Sequence, residues 1–229
     1  QEMLDQTIRD YVAAAVVAWN AGFSGIEVQG AEGSLIQQFL SPLTNTRDDE
    51  YSSTNAGGAF FARQIIRGIK NVTPDLTLVM RLSLKDLLPG GSGIRHAINS
   101  AKILKQEGVD IFHVTEGLII GNPLMIHPAV GKEAPGTPFA EDAQIFRYEI
   151  AHPVILSGKI ERPAAAEQKI SRGFCDLVSL GRTLNRNPRL PSFAGKPEEF
   201  TGPPCLRCKV CIAASKGCPD KHIPFARII

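Results

Sequence analysis

From residue 5 to about residue 188 the chain alternates helical and strand-like stretches over short connections, and no other feature narrows its fold as much. "DQTIRDYVAAAVVAWNAG" carries apolar residues at helical spacing and stops at Gly22, a C-terminal cap. The strand "GIEVQGA" follows, then a long polar loop, "SPLTNTRDDEYSSTNAGG", and the helical "AFFARQIIRGIKNV". "TLVMRLSL" and "DIFHVTEG" read as the next two strands, separated by the helix "HAINSAKILKQEG". After a Pro- and Gly-rich loop from about 118 to 137 come the helix "FAEDAQIFRYEIA", the strand "PVILSGKI", the helix "PAAAEQKISRGF" and the strand "DLVSLGR". Such alternation predicts an α/β fold with a parallel sheet and right-handed crossovers. The strands read as nearly continuous apolar runs, as expected when both sheet faces are covered. Five strands suffice for an open doubly wound sheet and are three short of a closed (β/α)8 barrel. The last ~40 residues are Pro-rich and then Cys-rich with little periodicity, and predict an appended cap rather than a second core.

Composition removes several classes of function. Of 229 residues, 43% are hydrophobic and 21% charged, which is ordinary for a soluble globular protein. The net charge of +2 gives no electrostatic case for nucleic acid or an anionic membrane surface, so neither is an expected partner. No apolar run approaches the ~20 residues of a membrane span. The opening "QEMLDQTIRD" carries no secretory signal, and its missing initiator Met points to a start farther upstream. One lone Cys175 and a tight later cluster suit a reducing, cytoplasmic setting.

In either parallel architecture ligands gather at the C-terminal ends of the strands, where this chain concentrates polar residues and glycines. Gln29, Gly30 and Glu32 follow the first strand, Arg81 and Ser83 lie in the second, and His113, Thr115 and Glu116 end the third. The last two strands end in "SGK" (157–159) and "LGR" (180–182), two Gly-plus-cation turns that together resemble a phosphate cradle. Arg81, among apolar neighbours, must find an anion. It is either half of a structural ion pair with a carboxylate such as Glu27, or a cation aimed at an electron-rich cofactor ring.

"CLRCKVCIAASKGCP" spaces four cysteines as C-x2-C-x2-C-x6-C-P, three residues longer before the last ligand than the bacterial ferredoxin run. Four thiolates also suit a structural zinc, but zinc sites usually show two separate knuckle pairs. Three cysteines at successive C-x2 steps favour an iron–sulfur cubane over zinc, and a reducing setting disfavours disulfides.

The stretches "AGFSGIEVQGAEGSLIQQFLSPLTNTRDDEY", "RLSLKDLLPGG", "HPVILSGKI" and "DLVSLGR" resemble the Old Yellow Enzyme family of flavin-dependent oxidoreductases over essentially the whole chain. The Cys cluster narrows the resemblance to the [4Fe–4S] branch that includes 2,4-dienoyl-CoA reductase and trimethylamine dehydrogenase. The resemblance implies a (β/α)8 barrel of the FMN-linked type, with about five of its eight βα units in this chain. Residues 1–190 would be the C-terminal portion of that barrel and 191–229 an iron–sulfur extension. It implies Arg81 at the flavin pyrimidine edge, and Ser157, Gly158, Lys159, Gly181 and Arg182 around the FMN phosphate. Cys205, Cys208, Cys211 and Cys218 would hold the cluster. The expected substrate is a small molecule with an activated C=C bond or an amine, with NAD(P)H or an electron-transfer protein as partner and a homo-oligomer or larger complex as the assembly.

The departures are as informative. Where the family commonly reads H-G-A-H-G-Y, this chain reads "QGAEGS", so Gln29 and Glu32 take the two carbonyl-binding positions and Ser34 replaces the proton-donating Tyr. After "DEY" the usual G-G-S-x-E-N-R is "SSTNAGG". The alternative expectation is therefore a catalytically impaired family member serving as an electron-transfer or structural subunit.

Overall fold

The structure, a computed structural model, describes residues 2–54, 58–118 and 139–202. The clustered cysteines Cys205, Cys208, Cys211 and Cys218 lie outside the described residues, as does most of the Pro- and Gly-rich loop. Helix α1 (Glu2–Asn20) leads to strand β1 (Gly25–Gly30), the short helix α2 (Leu35–Leu40) and helix α3 (Phe60–Val72). Strand β2 (Thr77–Ser83), helix α4 (Ile94–Gln106), strand β3 (Ile111–Thr115) and helix α5 (Ala140–Ile150) come next. Strand β4 (Val154–Leu156), helix α6 (Pro163–Ser171), strand β5 (Leu177–Val178) and helix α7 (Arg182–Arg186) complete the series, followed by 3-10 turns at Leu190–Phe193 and Pro197–Glu199.

The five strands form one sheet in the order β1-β2-β3-β4-β5, every pair parallel. A doubly wound sheet reverses its strand order at a switch point. This sheet never does, so the open alternative gives way to a stretch of (β/α)8 barrel.

Alternation along each strand sorts its side chains onto two faces. Val28, Leu78, Met80, Leu82, Phe112, Val114, Val154 and Leu156 are buried in one hydrophobic core. Helix α3 adds Phe61, Ala62, Ile65, Ile66 and Ile69 to that core, α4 adds Ala97, Ile98, Ala101 and Leu104, and α5 adds Ala143, Phe146 and Ile150. Each large aliphatic or aromatic side chain removed from water in this way contributes about 1.5–3 kcal/mol. The opposite, inner face carries Glu27 and Gln29 on β1, Arg81 and Ser83 on β2, and His113 and Thr115 on β3. The strands are thus two-faced rather than uniformly apolar.

Four elements have no counterpart in the sequence pattern: α2, α7 and the two 3-10 turns. The longest has six residues, under two turns of helix, too short for a 3.6-residue period to register.

Candidate functional site

The inner face acquires its geometry from the turn after β1. Glu32 (φ 58°) and Gly33 (φ 83°) both take left-handed conformations, which glycine tolerates and glutamate adopts only under constraint. The constraint is a hydrogen-bond network. Gly33 N donates to Gln37 Oε1 at 2.6 Å, and Gln37 Nε2 donates to Asp86 Oδ1 at 3.0 Å and to the Gly117 carbonyl at 3.2 Å. Ser41 Oγ donates to Asp86 Oδ2 at 2.6 Å, and the Ser92 amide does so at 2.7 Å. The turn after β1 is thereby fastened to the loops after β2 and β3, and Glu32 is swung back over the sheet.

There Glu32 Oε1 accepts from Arg81 Nη2 at 2.9 Å and from Thr115 Oγ1 at 3.3 Å. Arg81 Nη1 lies 3.9 Å from Glu27 Oε1. The ion pair expected for Arg81 is therefore formed, but its shorter contact is with Glu32 rather than Glu27. Glu27 instead meets His113, with Oε2 2.6 Å from Nδ1, a bond that crosses β2 from β1 to β3. Burial alone would raise the Glu27 pKa. The hydrogen bond to His113, with the charges of His113 and Arg81, outweighs it and holds the carboxyl below its usual value. Two buried nitrogens on this face, Arg81 Nε and His113 Nε2, have no hydrogen-bond partner among the described residues. Buried polar atoms in that state mark places where another group belongs.

Gln29 and Ser34 sit at the same end of β1. Gln29 Oε1 accepts from the Ala31 amide at 3.3 Å, leaving the carboxamide NH2 as the end with donors to offer. Ser34 Oγ donates to the Gln29 carbonyl at 3.0 Å, so its hydroxyl is engaged with the backbone.

The two Gly-plus-cation turns end neighbouring strands, since β4 pairs with β5. Gly158 (φ 99°) and Lys159 (φ 53°) are consecutive left-handed residues. A Cβ at Gly158 would lie 2.5 Å from Phe139 Cζ, so only glycine fits. Ser157 Oγ donates to the Val114 carbonyl at 2.9 Å, which ties the turn to β3. Gly181 precedes α7 and Arg182 is its first residue. At Gly181 an added Cβ would meet nothing within 4 Å, so the backbone there is open to approach.

The structure thus brings Gln29, Glu32, Ser34 and Arg81 together at the β1–β2 end of the sheet, and Ser157, Gly158, Lys159, Gly181 and Arg182 at the β4–β5 end. His113 stands between them on β3. The sequence named His113, Thr115 and Glu116 only as polar residues closing a strand. The signal that singles out His113 is its parity: it is in register with Arg81, so both face inward. Glu116 faces the other way, is 5% exposed and adjoins Asp142, which also bonds Lys85.

The NADH:flavin oxidoreductase / NADH oxidase family matches residues 1–197. An NADH oxidase of Thermoanaerobacter brockii is 34% identical over 211 residues, covering 91% of this chain and 32% of the relative. Among solved structures, 2-naphthoyl-CoA reductase in complex with 2-naphthoyl-CoA superposes with a TM-score of 0.79 at 28% identity, covering 90% of this chain and 31% of that one. Histamine dehydrogenase from Rhizobium sp. 4-9 superposes with a TM-score of 0.78 at 25% identity, covering 93% and 30%. The chain spans about a third of the length of each of these proteins. With an inner face of this composition on a sequentially wound parallel sheet, and a match over residues 1–197, the chain belongs to the NADH:flavin oxidoreductase / NADH oxidase family.

Proposed function

We propose that this chain supplies part of the FMN site and of the substrate site of an oxidoreductase that uses a nicotinamide or an electron-transfer protein as redox partner. FMN, when bound, supplies hydride transfer. The observation that carries this proposal is the inner face, where a guanidinium and an imidazole each keep a buried nitrogen without a partner among the described residues, facing the side of the sheet that a barrel encloses. Arg81 Nε would donate to the flavin ring, and the turns at 157–159 and 181–182 would hold its phosphate through backbone N–H groups and the cations Lys159 and Arg182. No G-x-G-x-x-G motif is present for a dinucleotide, which favours FMN over FAD.

The substrate end is unlike a carbonyl-binding pair. Gln29 offers an amide donor. Glu32, bonded to Arg81, adds a carboxylate's acceptors and negative charge, which suits a cationic substrate such as an amine. The similarity to histamine dehydrogenase supports the amine option, and that to 2-naphthoyl-CoA reductase the activated C=C option. Residues 191–229 would form an extension whose four cysteines bind a [4Fe–4S] cluster that relays single electrons, in keeping with a reducing, cytoplasmic setting.

The test is cofactor content of the protein expressed from its complete reading frame and purified anaerobically. About one FMN, four irons and four sulfides per chain are expected, with weaker flavin binding in Arg182→Ala. Absence of flavin, or wild-type affinity in that variant, refutes the FMN site, and stoichiometric zinc refutes the cluster. Flavin loading without turnover of amines or enones favours the alternative, an electron-transfer or structural subunit.

A further inference from the structure

The Glu27–His113 contact is absent from any role assigned above, although it is the shortest polar contact on the inner face. Its two residues stand on the strands either side of β2, in register with Val79 and Arg81, so the bond crosses the inner face of that strand. His113 is 5% exposed, its Nδ1 is engaged by Glu27, and its Nε2 is buried with no partner among the described residues. Neither protonation state satisfies that nitrogen. With a proton it is a donor without an acceptor, and without one it is an acceptor without a donor. The charged groups around it are Glu27 on β1, Glu32 in the turn after β1, and Arg81 on β2, while β4 places Ile155 beside it in register. With a neutral imidazole, two carboxylates and one guanidinium leave this set at a net −1, and a proton on His113 brings it to zero. A face at −1 repels further negative charge placed against it.

We propose that Glu27 and His113 are a proton-binding pair on the inner face of the sheet, in which His113 Nε2 contacts the group occupying that face and which takes up one proton when that group becomes more negative. The proposal rests on the flavin site above. The balance is two electrons from the reductant and one proton to the flavin, with a second proton passing from solvent to His113 Nε2. Glu27 stays ionised throughout and stabilises the imidazolium, a role like that of a carboxylate behind a catalytic histidine. His113 is accordingly a positioning and charge-compensating residue, and bond-making remains with other groups.

The experiment is a spectroelectrochemical titration of the flavin-loaded protein from its complete reading frame, with dithionite as reductant, between pH 6 and 9. A proton taken up by the pair changes the two-electron reduction equilibrium a further tenfold per pH unit, about 30 mV. The native protein should show this added slope over part of the range. The flavin-loaded fractions of His113→Gln and Glu27→Gln should both lose the added slope, and Glu27→Gln guards against a packing effect specific to His113. Identical slopes in native and both variants overturn the proposal while leaving the flavin site intact. A native protein without flavin overturns the site and this proposal with it.

Discussion

Glu116 immediately follows β3 and is 5% exposed, and Asp142 lies beside it on the first turn of α5. Burial, then the hydrogen bond and charge of Asp142, push the Glu116 pKa to about 8 against the opposing charge of Lys85. Asp142 moves the other way: burial would raise it, but its bonds to Glu116 and Lys85 hold it low. The shared proton therefore rests on Glu116. A carboxyl whose folded pKa exceeds its unfolded value of 4.5 favours the fold below that value, and this stability is lost as pH rises toward 8. Glu116→Gln keeps the shape and cannot ionise, so its melting temperature should fall less than the native one between pH 5 and 8.5. The expected difference is a few degrees, because 1 kcal/mol moves the midpoint of a domain this size by about 2–4 °C. Parallel curves would refute the shared proton. Glu32 makes a second prediction at this scale. Bonded to Arg81 and Thr115, in the proposed substrate site it would present charge where a carbonyl needs a donor, and Ser34 spends its hydroxyl on the backbone. Glu32→His with Ser34→Tyr should raise cyclohexenone reduction by at least tenfold, since positioned proton donors contribute about 10²–10⁴-fold. Brisk turnover by the native protein would show that protons arrive from elsewhere.

The turn joining β4 to α6 is the element on which the proposed phosphate site depends. Gly158 is left-handed, and Phe139 occupies the space a methyl group would need, so Gly158→Ala should destabilise the protein by about 1–3 kcal/mol and weaken flavin binding. Retained affinity in thermal-shift and fluorescence titrations would dissociate this turn from the phosphate. A special role for Gly158 was legible because a left-handed backbone beside a close neighbour leaves room for glycine alone. Strands and long helices were legible as well: α3 buries Phe61, Ile65, Ile66 and Ile69 at helical spacing, which sequence period alone exposes. Two features were not. The six residues of α2 are too few for a period, and its position depends on Gln37 reaching Asp86 and Gly117, 49 and 80 residues away. The partner of Arg81 was likewise hidden, because Glu32 reaches it only through a left-handed turn, whereas Glu27 looked nearer by strand order.

At the scale of the whole molecule, the five-stranded sheet exposes at its β1 and β5 sides what a closed barrel would cover. Gln29 and Glu27 on β1 are exposed, as is Leu177 on β5. Val17 and Trp19 of α1 and Phe23 just before β1 are 68%, 42% and 62% exposed. Sheet edges left open invite pairing. Among the described residues, a flavin on the inner face would have protein on one side, with water free to compete for Arg81 and for both Gly-plus-cation turns. Charge-assisted bonds keep their strength when water is excluded and lose much of it when it is not. These 229 residues expressed alone should therefore bind FMN at least 100-fold more weakly than the protein from the complete reading frame, and should self-associate in a concentration-dependent way. Fluorescence quenching of FMN and sedimentation velocity read the two effects separately. Tight flavin binding by a monomer of the 229 residues would show that five βα units form a sufficient site by themselves, and the requirement for barrel closure would fall.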